Sequence, residues 1–479
     1  MEHAREFGDP EVLLLAEDHI ILKLETAWSR DMPVPDGLSF ADDDGLLLVA
    51  TRRSLVSAWQ RTLLREARVS KALFCACAPF DSSDLYARAA SEVLRDAVDI
   101  CIVHNRDKIY KIIRMFPNVR TIALLHDLTT HVLELDEPCR DRFAPLVERC
   151  QLRQLVGNDG SRCNGSLHLS RETTLALIRT CPDVHRIDSI WVMYCFMGPY
   201  GLHSSSEGQI AKGFTYLFLN SQNMSCVGIP NTATAADVAV AAKKFPSIEK
   251  LQVVVTSLDV LTKLSTFRNL RSLMVALSCG VAYADVDFEL ERLLKRLPGL
   301  EELDVGLCSG LRLSTIGRLC PKLKVLRIVT CVGSSEDTPV DGDAFPNLEC
   351  VNISMHVLRM AFNSFLAATR FTLRTAFFDD DSMCFEFLQY CVRFGRRLPF
   401  PRLEHLTLDT KLSLRKLEIE PSWLGDLLKA LPALRHLATN SYDLRLFFEN
   451  NGVPRGRVSL SWIGCVYCAV HKPDNDRCS

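Results

Sequence analysis

Residues 320–331 read Cys-Pro-Lys-Leu-Lys-Val-Leu-Arg-Ile-Val-Thr-Cys, and no other stretch limits so sharply what this chain can fold into. In the frame C-x-x-L-x-x-L-x-L-x-x-C, Leu323, Leu326 and Ile328 are spaced to face one side of a short strand. So brief a strand cannot bury that side alone, and turns of the same kind must stack on it. Stacking of this kind makes a long, curved binding surface. It does not by itself make a reaction centre.

Companion frames surround it. Leu300-Glu-Glu-Leu303-Asp-Val305 precedes it and also runs on to a cysteine, Cys308. Others begin at Val119, Leu152, Val184, Phe214, Ile248, Leu270, Leu348, Leu403 and Leu434. A frame this short arises by chance in leucine-rich sequence, so its punctuation matters more. An apolar residue or Cys followed by Pro stands just before the frame at Phe116-Pro117, Cys181-Pro182, Phe245-Pro246, Leu297-Pro298, Cys320-Pro321, Phe345-Pro346 and Leu431-Pro432. Ahead of these junctions, segments such as 105–116, 235–245, 286–297 and 423–431 place apolar residues at helical spacing. Proline then ends the helix, since it has no N–H and biases its predecessor towards extended geometry.

Strand, helix and proline stop recur at intervals of roughly 20 to 35 residues, about the span of a leucine-rich repeat. The fold expected is therefore an α/β leucine-rich-repeat solenoid, a horseshoe with parallel strands inside and helices outside. In the long gap between Leu348 and Leu403, Phe371-Thr-Leu373 marks a degenerate repeat. The solenoid is expected over 69–450, with a small helical cap over 1–68 and a C-terminal cap and tail over 451–479. Within the first cap, 11–29 and 46–67 read as helices and 31–45 as a loop.

The cysteine-closed frames at 300–308 and 320–331 resemble the cysteine-containing repeats of the F-box/LRR family. The resemblance is good over about 245–355 and looser over about 70–450. It implies that the horseshoe holds a protein to be ubiquitylated, while an N-terminal F-box docks on the Skp adaptor of a cullin ligase. The opening Leu-Pro-x-Glu of an F-box is absent, and Leu46–Leu63, with Trp59, is similar only to the second half of the motif. Residues 1–68 are thus either a degenerate F-box or a plain cap over the open end of the solenoid. The first makes this the substrate-recognition subunit of an SCF-like ligase; the second makes it a ligase-independent scaffold or inhibitor.

Composition removes other classes. A net charge of −2 gives no basic footprint for nucleic acid or an anionic membrane surface. No run reaches the ~18 apolar residues of a membrane span. Nineteen cysteines, an odd number, without a secretory signature at the N-terminus, read as small core hydrophobes in a reducing compartment, the cytoplasm or the nucleus. Cys465, Cys468, His471 and Cys478 could furnish a zinc site, set against two cysteines packed under the last repeat with a surface histidine in a frayed tail. The phosphate-loop, dinucleotide, nucleophile-elbow and zinc-protease motifs are all missing, so no catalysis and no cofactor are expected. The acidic run 379–381 reads as a solvated loop.

Binding remains, and the frame says where. Residues alternating with the inward leucines face out on the concave sheet. They are Arg186, Asp188, Lys250, Gln252, Ser272, Met274, Glu302, Asp304, Val325, Arg327, Asn352, His405, Thr407 and His436. Their mixed signs suit a protein with alternating charges of its own. Met274 and Val325, apolar among charges, are candidate anchors.

Overall fold

Many turns of the structure start where a proline follows a helix, as at Pro117, Pro182, Pro246, Pro298, Pro321 and Pro432. The Ala235–Lys244 helix shows the pattern from end to end. Thr234 caps it, its hydroxyl oxygen accepting from the Asp237 amide at 3.2 Å while the Asp237 carboxylate accepts from the Thr234 amide at 2.9 Å. Lys243 and Lys244 complement the negative end of its dipole. The Phe245 amide closes the last turn on the Ala241 carbonyl, and Pro246 then sends the chain towards the next strand.

The structure is a computed structural model. It describes residues 109–125, 151–158, 169, 171–189, 191–197, 210–220, 234–255, 257–277, 286–306, 309–333, 338–356, 359–394, 397–410, 424–450 and 458–461, with five strands upstream of residue 109. The chain divides into two units, 1–218 with Ser479, and 219–478. The sequence suggests one array over 69–450. The division instead falls inside strand Tyr216–Asn220, between stretches 198–209 and 221–233 that lie outside the described residues.

The first unit contains strands β1 (His19–Leu24), β2 (Ser39–Ala41), β3 (Leu46–Thr51), β4 (Val69–Cys75), β5 (Asp99–Val103), β6 (Thr121–Leu125), β7 (Gln154–Asn158) and β8 (Arg186–Ile187). From β4 to β8 every pairing is parallel, with Ala72, Ile100, Ile122, Leu155 and Ile187 in one register row. Within the helical cap expected over 1–68, the described stretches are strands. The described part of the expected 11–29 helix is strand β1, the start of the expected 46–67 helix is strand β3, and β2 lies within the expected loop. β1 pairs antiparallel with both β3 and β4. His19–Leu24 and Leu46–Thr51 are short apolar runs whose period fits helix and strand alike. The open edge of β4 decides the matter, because its backbone groups need partners.

With β9 assigned to Tyr216–Asn220, the second unit continues through β10 (Lys250–Val255), β11 (Ser272–Leu277), β12 (Glu302–Gly306), β13 (Ser309–Leu311), β14 (Val325–Gly333), β15 (Cys350–His356), β16 (Thr375–Phe378), β17 (His405–Leu408), β18 (His436–Thr439) and β19 (Ser459–Ser461). Setting aside the short β13, which pairs with β14, these strands follow one another in order and all in parallel. This is a leucine-rich-repeat solenoid. Leu251, Leu273, Leu303, Leu326, Val351, Ala376, Leu406, Leu437 and Leu460 form one buried row across it.

Ala376 is the small member of that row, and the other inward position of β16 is the buried Phe378. Phe345, Phe365, Phe362, Phe378, Phe387 and Phe400 are all fully buried, and successive ring centroids lie 5.0–6.3 Å apart. They come alternately from junctions, helices and β16, so the spine ties neighbouring repeats together. Gly317 makes room at its end, since a Cβ there would stand 2.7 Å from the Phe345 ring. Phe345 itself holds a left-handed φ of 58°, a conformation disfavoured for an aromatic residue that its buried ring maintains.

Phe378 sits mid-spine, between Phe362 and Phe387. Phe378→Ala is expected to destabilise the second unit by about 3–5 kcal/mol in equilibrium urea unfolding. A change below ~1 kcal/mol would show that the ring bears no packing load.

Candidate partner-binding face

On the side of the second unit's sheet that alternates with its buried leucines, outward residues form two rows. The first runs Lys250, Ser272, Glu302, Val325, Cys350, Thr375, His405, His436, Ser459. The second runs Gln252, Met274, Asp304, Arg327, Asn352, Phe377, Thr407, Ala438, Ser461. Parallel pairing places neighbours in a row about 4.8 Å apart. Every residue expected on the face of this unit is in one of these rows.

Their surroundings differ from what their types alone suggest. Gln252 and Asp304 are each only 8% exposed, so they contribute little to an open contact. Lys250 and Glu302 face each other across β11 at 3.5 Å, and Glu302 also accepts from the Ser272 hydroxyl at 2.8 Å. Met274, Val325, Arg327, Asn352, Thr407, His405 and His436 are half-buried. The His405 and His436 rings, on adjacent strands, lie 6.0 Å apart.

Arg186 and Asp188 belong to the first unit and engage one another. The Arg186 guanidinium donates to both Asp188 carboxylate oxygens, at 2.8 and 2.9 Å, and lies 4.4 Å over the Tyr216 ring. Asp188 is 2% exposed. Burial, and then the nearby Asp188 charge, push the Tyr216 hydroxyl well above its ordinary range. Such an ion pair acts inside the fold, and its availability to a partner is small.

The expected degenerate repeat is real but sits two residues later than Phe371 suggests. Leu373 opens the frame Leu-Arg-Thr-Ala-Phe-Phe, which places Thr375 and Phe377 on the face. Both escape a search for leucines because Ala376 and Phe378 hold the inward positions.

A third row also escapes a reading confined to outward strand residues. The carbonyl just before each strand accepts from two successive amides of the next repeat. Its owners are Glu249, Arg271, Glu301, Lys324, Glu349, Arg374 and Glu404, and the last of these carbonyls receives the amides of Arg435 and His436. Across eight consecutive turns the sign alternates without a break. Glu301 lies 3.8 Å from Arg271 and 2.8 Å from Lys324. The signal was present in the second place of each frame, as in Leu-Arg-Ser-Leu, Leu-Glu-Glu-Leu and Leu-Lys-Val-Leu. In the first unit the same place holds Arg120, Arg153 and His185, with no alternation.

The acidic run resolves as a helix cap. Asp380 Oδ1 accepts from the Ser382 and Met383 amides and the Ser382 hydroxyl at the start of Asp381–Phe394, and Asp381 accepts from Thr410. No group of three or more metal-ligating side chains occurs among the described residues, and Cys465, Cys468, His471 and Cys478 lie outside them. Described cysteines are free thiols, and Cys181, Cys195, Cys320, Cys384 and Cys391 are buried. Burial pushes the Cys195 and Cys320 thiols up to about 12, the reverse of what a nucleophile requires. Cys331 belongs to β14, though its side chain, like Cys308, lies outside the described residues.

No family model matches the chain. Among solved structures it is similar to a chain of the yeast Rad7 and Elc1 complex, at 12% identity over 78% of this chain and 83% of that one, with a TM-score of 0.39. It is also similar to an internalin from Listeria monocytogenes, at 12% identity over 74% and 86%, with a TM-score of 0.27. Scores this low do not establish a common overall fold, and the repeat architecture rests on the strand register itself.

Glu301 tests the ladder. The Lys324 hydrogen bond, and then its charge, hold the Glu301 carboxyl below the ordinary range. A carboxyl depressed in the folded state contributes stability above its unfolded value, ~4.3, and loses it as pH falls through the folded value. Glu301→Gln should therefore lower the thermal midpoint at pH 7 and approach the unsubstituted protein below about pH 4. An equal difference at both pH values would separate Glu301 from its cations. Thiol labelling tests the core assignment. In the native protein at pH 8, mass spectrometry should find Cys195 and Cys320 unmodified by iodoacetamide, and both alkylated after denaturation. Rapid native labelling of either would contradict its burial.

Proposed function

We propose that this chain is a protein-binding leucine-rich-repeat protein that takes its partner on the outward rows of the second unit and is not an enzyme. The observation that carries this reading is the uninterrupted register from β10 to β19. It presents a broad surface of varied side chains on a rigid backbone, with Met274, Val325 and Phe377 set among polar neighbours. The thiols raised by burial support binding over nucleophilic catalysis. The reading places the protein in a reducing intracellular compartment, where those thiols stay free. Among the described residues, no helix is long and apolar enough to cross a membrane.

Within this reading there are two versions. The cysteine-closed frames favour the substrate-recognition subunit of a cullin-type ubiquitin ligase, with the Skp adaptor bound through residues 1–68. The antiparallel pairing of β1 with β3 and β4 favours the other, a ligase-independent scaffold or inhibitor, because it uses part of that segment to cover the first parallel strand.

An affinity purification with full-length bait separates them. Phe377→Asp is the face variant, and Met360→Asp, on the 70%-exposed Met360 of the Arg359–Thr369 helix, is the control. A partner retained by the control and lost from the face variant supports binding on the outward rows; equal retention by all three baits refutes it. Skp adaptor and cullin among the retained proteins would favour the ligase version. Their absence, with the partner kept, favours the other.

A further inference from the structure

Cations gather on the rim of the second unit where helices end and strands begin, and most are balanced. Arg318, Lys324 and Lys429 are in ion pairs, with Glu291 at 3.8 Å, Glu301 at 2.8 Å and Asp426 at 3.2 Å. Glu349 and Glu404 alternate with Arg374 and Arg435 in the row before the strands. Asp341 and Asp343 lie in the turn ahead of Phe345, and Lys322 in the junction one repeat back, to which Asn347 is tied by its bond to the Pro321 carbonyl at 3.0 Å. What is left is Arg370, Arg393, Arg397 and Arg402 against one acid. None of the four is in an ion pair among the described residues. The other acids of these repeats are remote or engaged. Asp380 and Asp381 stand at the opposite end of the Asp381–Phe394 helix, about 20 Å off, and Glu386 holds Arg359 at 2.8 Å.

The fold brings these four together. Arg370 follows the Arg359–Thr369 helix, and Arg393 is in the last turn of Asp381–Phe394. The Arg397 and Leu398 amides close that turn on the Phe394 carbonyl, at 2.8 and 2.7 Å, and Arg402 lies just before β17. The two junctions are neighbours, because β16 pairs with β17 and the Arg374 carbonyl receives the Glu404 and His405 amides. Tyr390 lies between them. Its ring is 5.3 Å from Phe394 and 5.8 Å from Phe400, and the Arg370 charge opposes the upward push of burial on its hydroxyl. Arg393, Arg397 and Arg402 are exposed. Two aromatic rings share this surface: Phe371, 56% exposed with the Arg370 guanidinium 4.4 Å over it, and Phe394, 42% exposed.

We infer that this rim patch is a second docking site, separate from the outward rows, for a short acidic segment of a partner protein. The segment's carboxylates meet Arg393, Arg397 and Arg402, whose planar forks can each grip one with two hydrogen bonds. An apolar side chain beside them packs on Phe371 and Phe394. The size of the patch favours this occupant. Its excess charge ends at the paired Arg318 and Lys324 on one side and the paired Lys429 on the other, so it covers two repeats whose helices pack about 8–10 Å apart. That is the length of about three extended residues. A nucleic-acid backbone or a membrane surface draws on a longer basic track.

The test uses the full chain and fluorescent peptides of about eight residues, long enough to cross the patch with margin. One alternates Asp and Glu with a central Leu and Phe; a second replaces every acid with its amide; the third probe is a labelled oligouridine of about 12 nucleotides. Fluorescence anisotropy should show the acidic peptide binding most tightly, and more weakly as salt rises from about 50 to about 300 mM. Its affinity should fall about fivefold or more on joint Arg393→Gln and Arg397→Gln substitution, and fall also on Phe371→Ser, each variant checked for native circular dichroism. It should hold with Arg292→Gln, on another helix. Equal binding of the amide peptide, tighter binding of the oligonucleotide, indifference to the paired arginine substitution, or no binding would overturn the inference. The affinity purification with Phe377→Asp reads the outward rows separately, so failure of this site leaves that reading standing.

Discussion

A single carbonyl before each strand, shared between two amides of the following repeat, sets the geometry on which the second unit depends. Arg271 and Ser272 both donate to Glu249, Glu301 and Glu302 to Arg271, and so on to Arg435 and His436 on Glu404. Because the bond recurs at the same frame position, it transmits register from one repeat to the next however many residues loop out between them. A slip of one residue anywhere would turn the buried leucines outward. Backbone pairing and hydrophobic burial therefore enforce one another.

That enforcement leaves side chains free to vary where the frame does not need them. β16 replaces the expected leucine with Ala376 and still holds its register, with Phe378 of the same strand stacked between Phe362 and Phe387. Asparagines add smaller ties: Asn269 donates to the Pro246 carbonyl and Asn347 to the Pro321 carbonyl, each reaching back one repeat. With the scaffold secured from behind, the outward rows can accumulate a composition suited to one partner.

Much of this is legible in the sequence alone, and the gaps have physical causes. The frames at 270, 300, 323, 348, 403 and 434 are all strands, because inward leucines, and at most of them a nearby proline, are local signals. β16 was located only approximately, since its inward residues are alanine and phenylalanine. β1 and β3 read as helix because six largely apolar residues do not discriminate between periods; a remote edge decides them. Outward direction was also readable, but accessibility was not. Asp188, Gln252 and Asp304 have the right frame position and are nevertheless enclosed, which depends on neighbours from other repeats. The alternating charges are written in the second place of each frame. A search for apolar patterns passes over them.

That alternation has a parity. In a chain of Glu249, Arg271, Glu301, Lys324, Glu349, Arg374, Glu404 and Arg435, like charges stand two repeats apart. Excising one interior repeat would bring two like charges onto adjacent strands, and duplicating one would do the same. Adding or removing two consecutive repeats would preserve every favourable neighbour. Repeat arrays change length by whole units, and this one is built so that its natural increment is a pair.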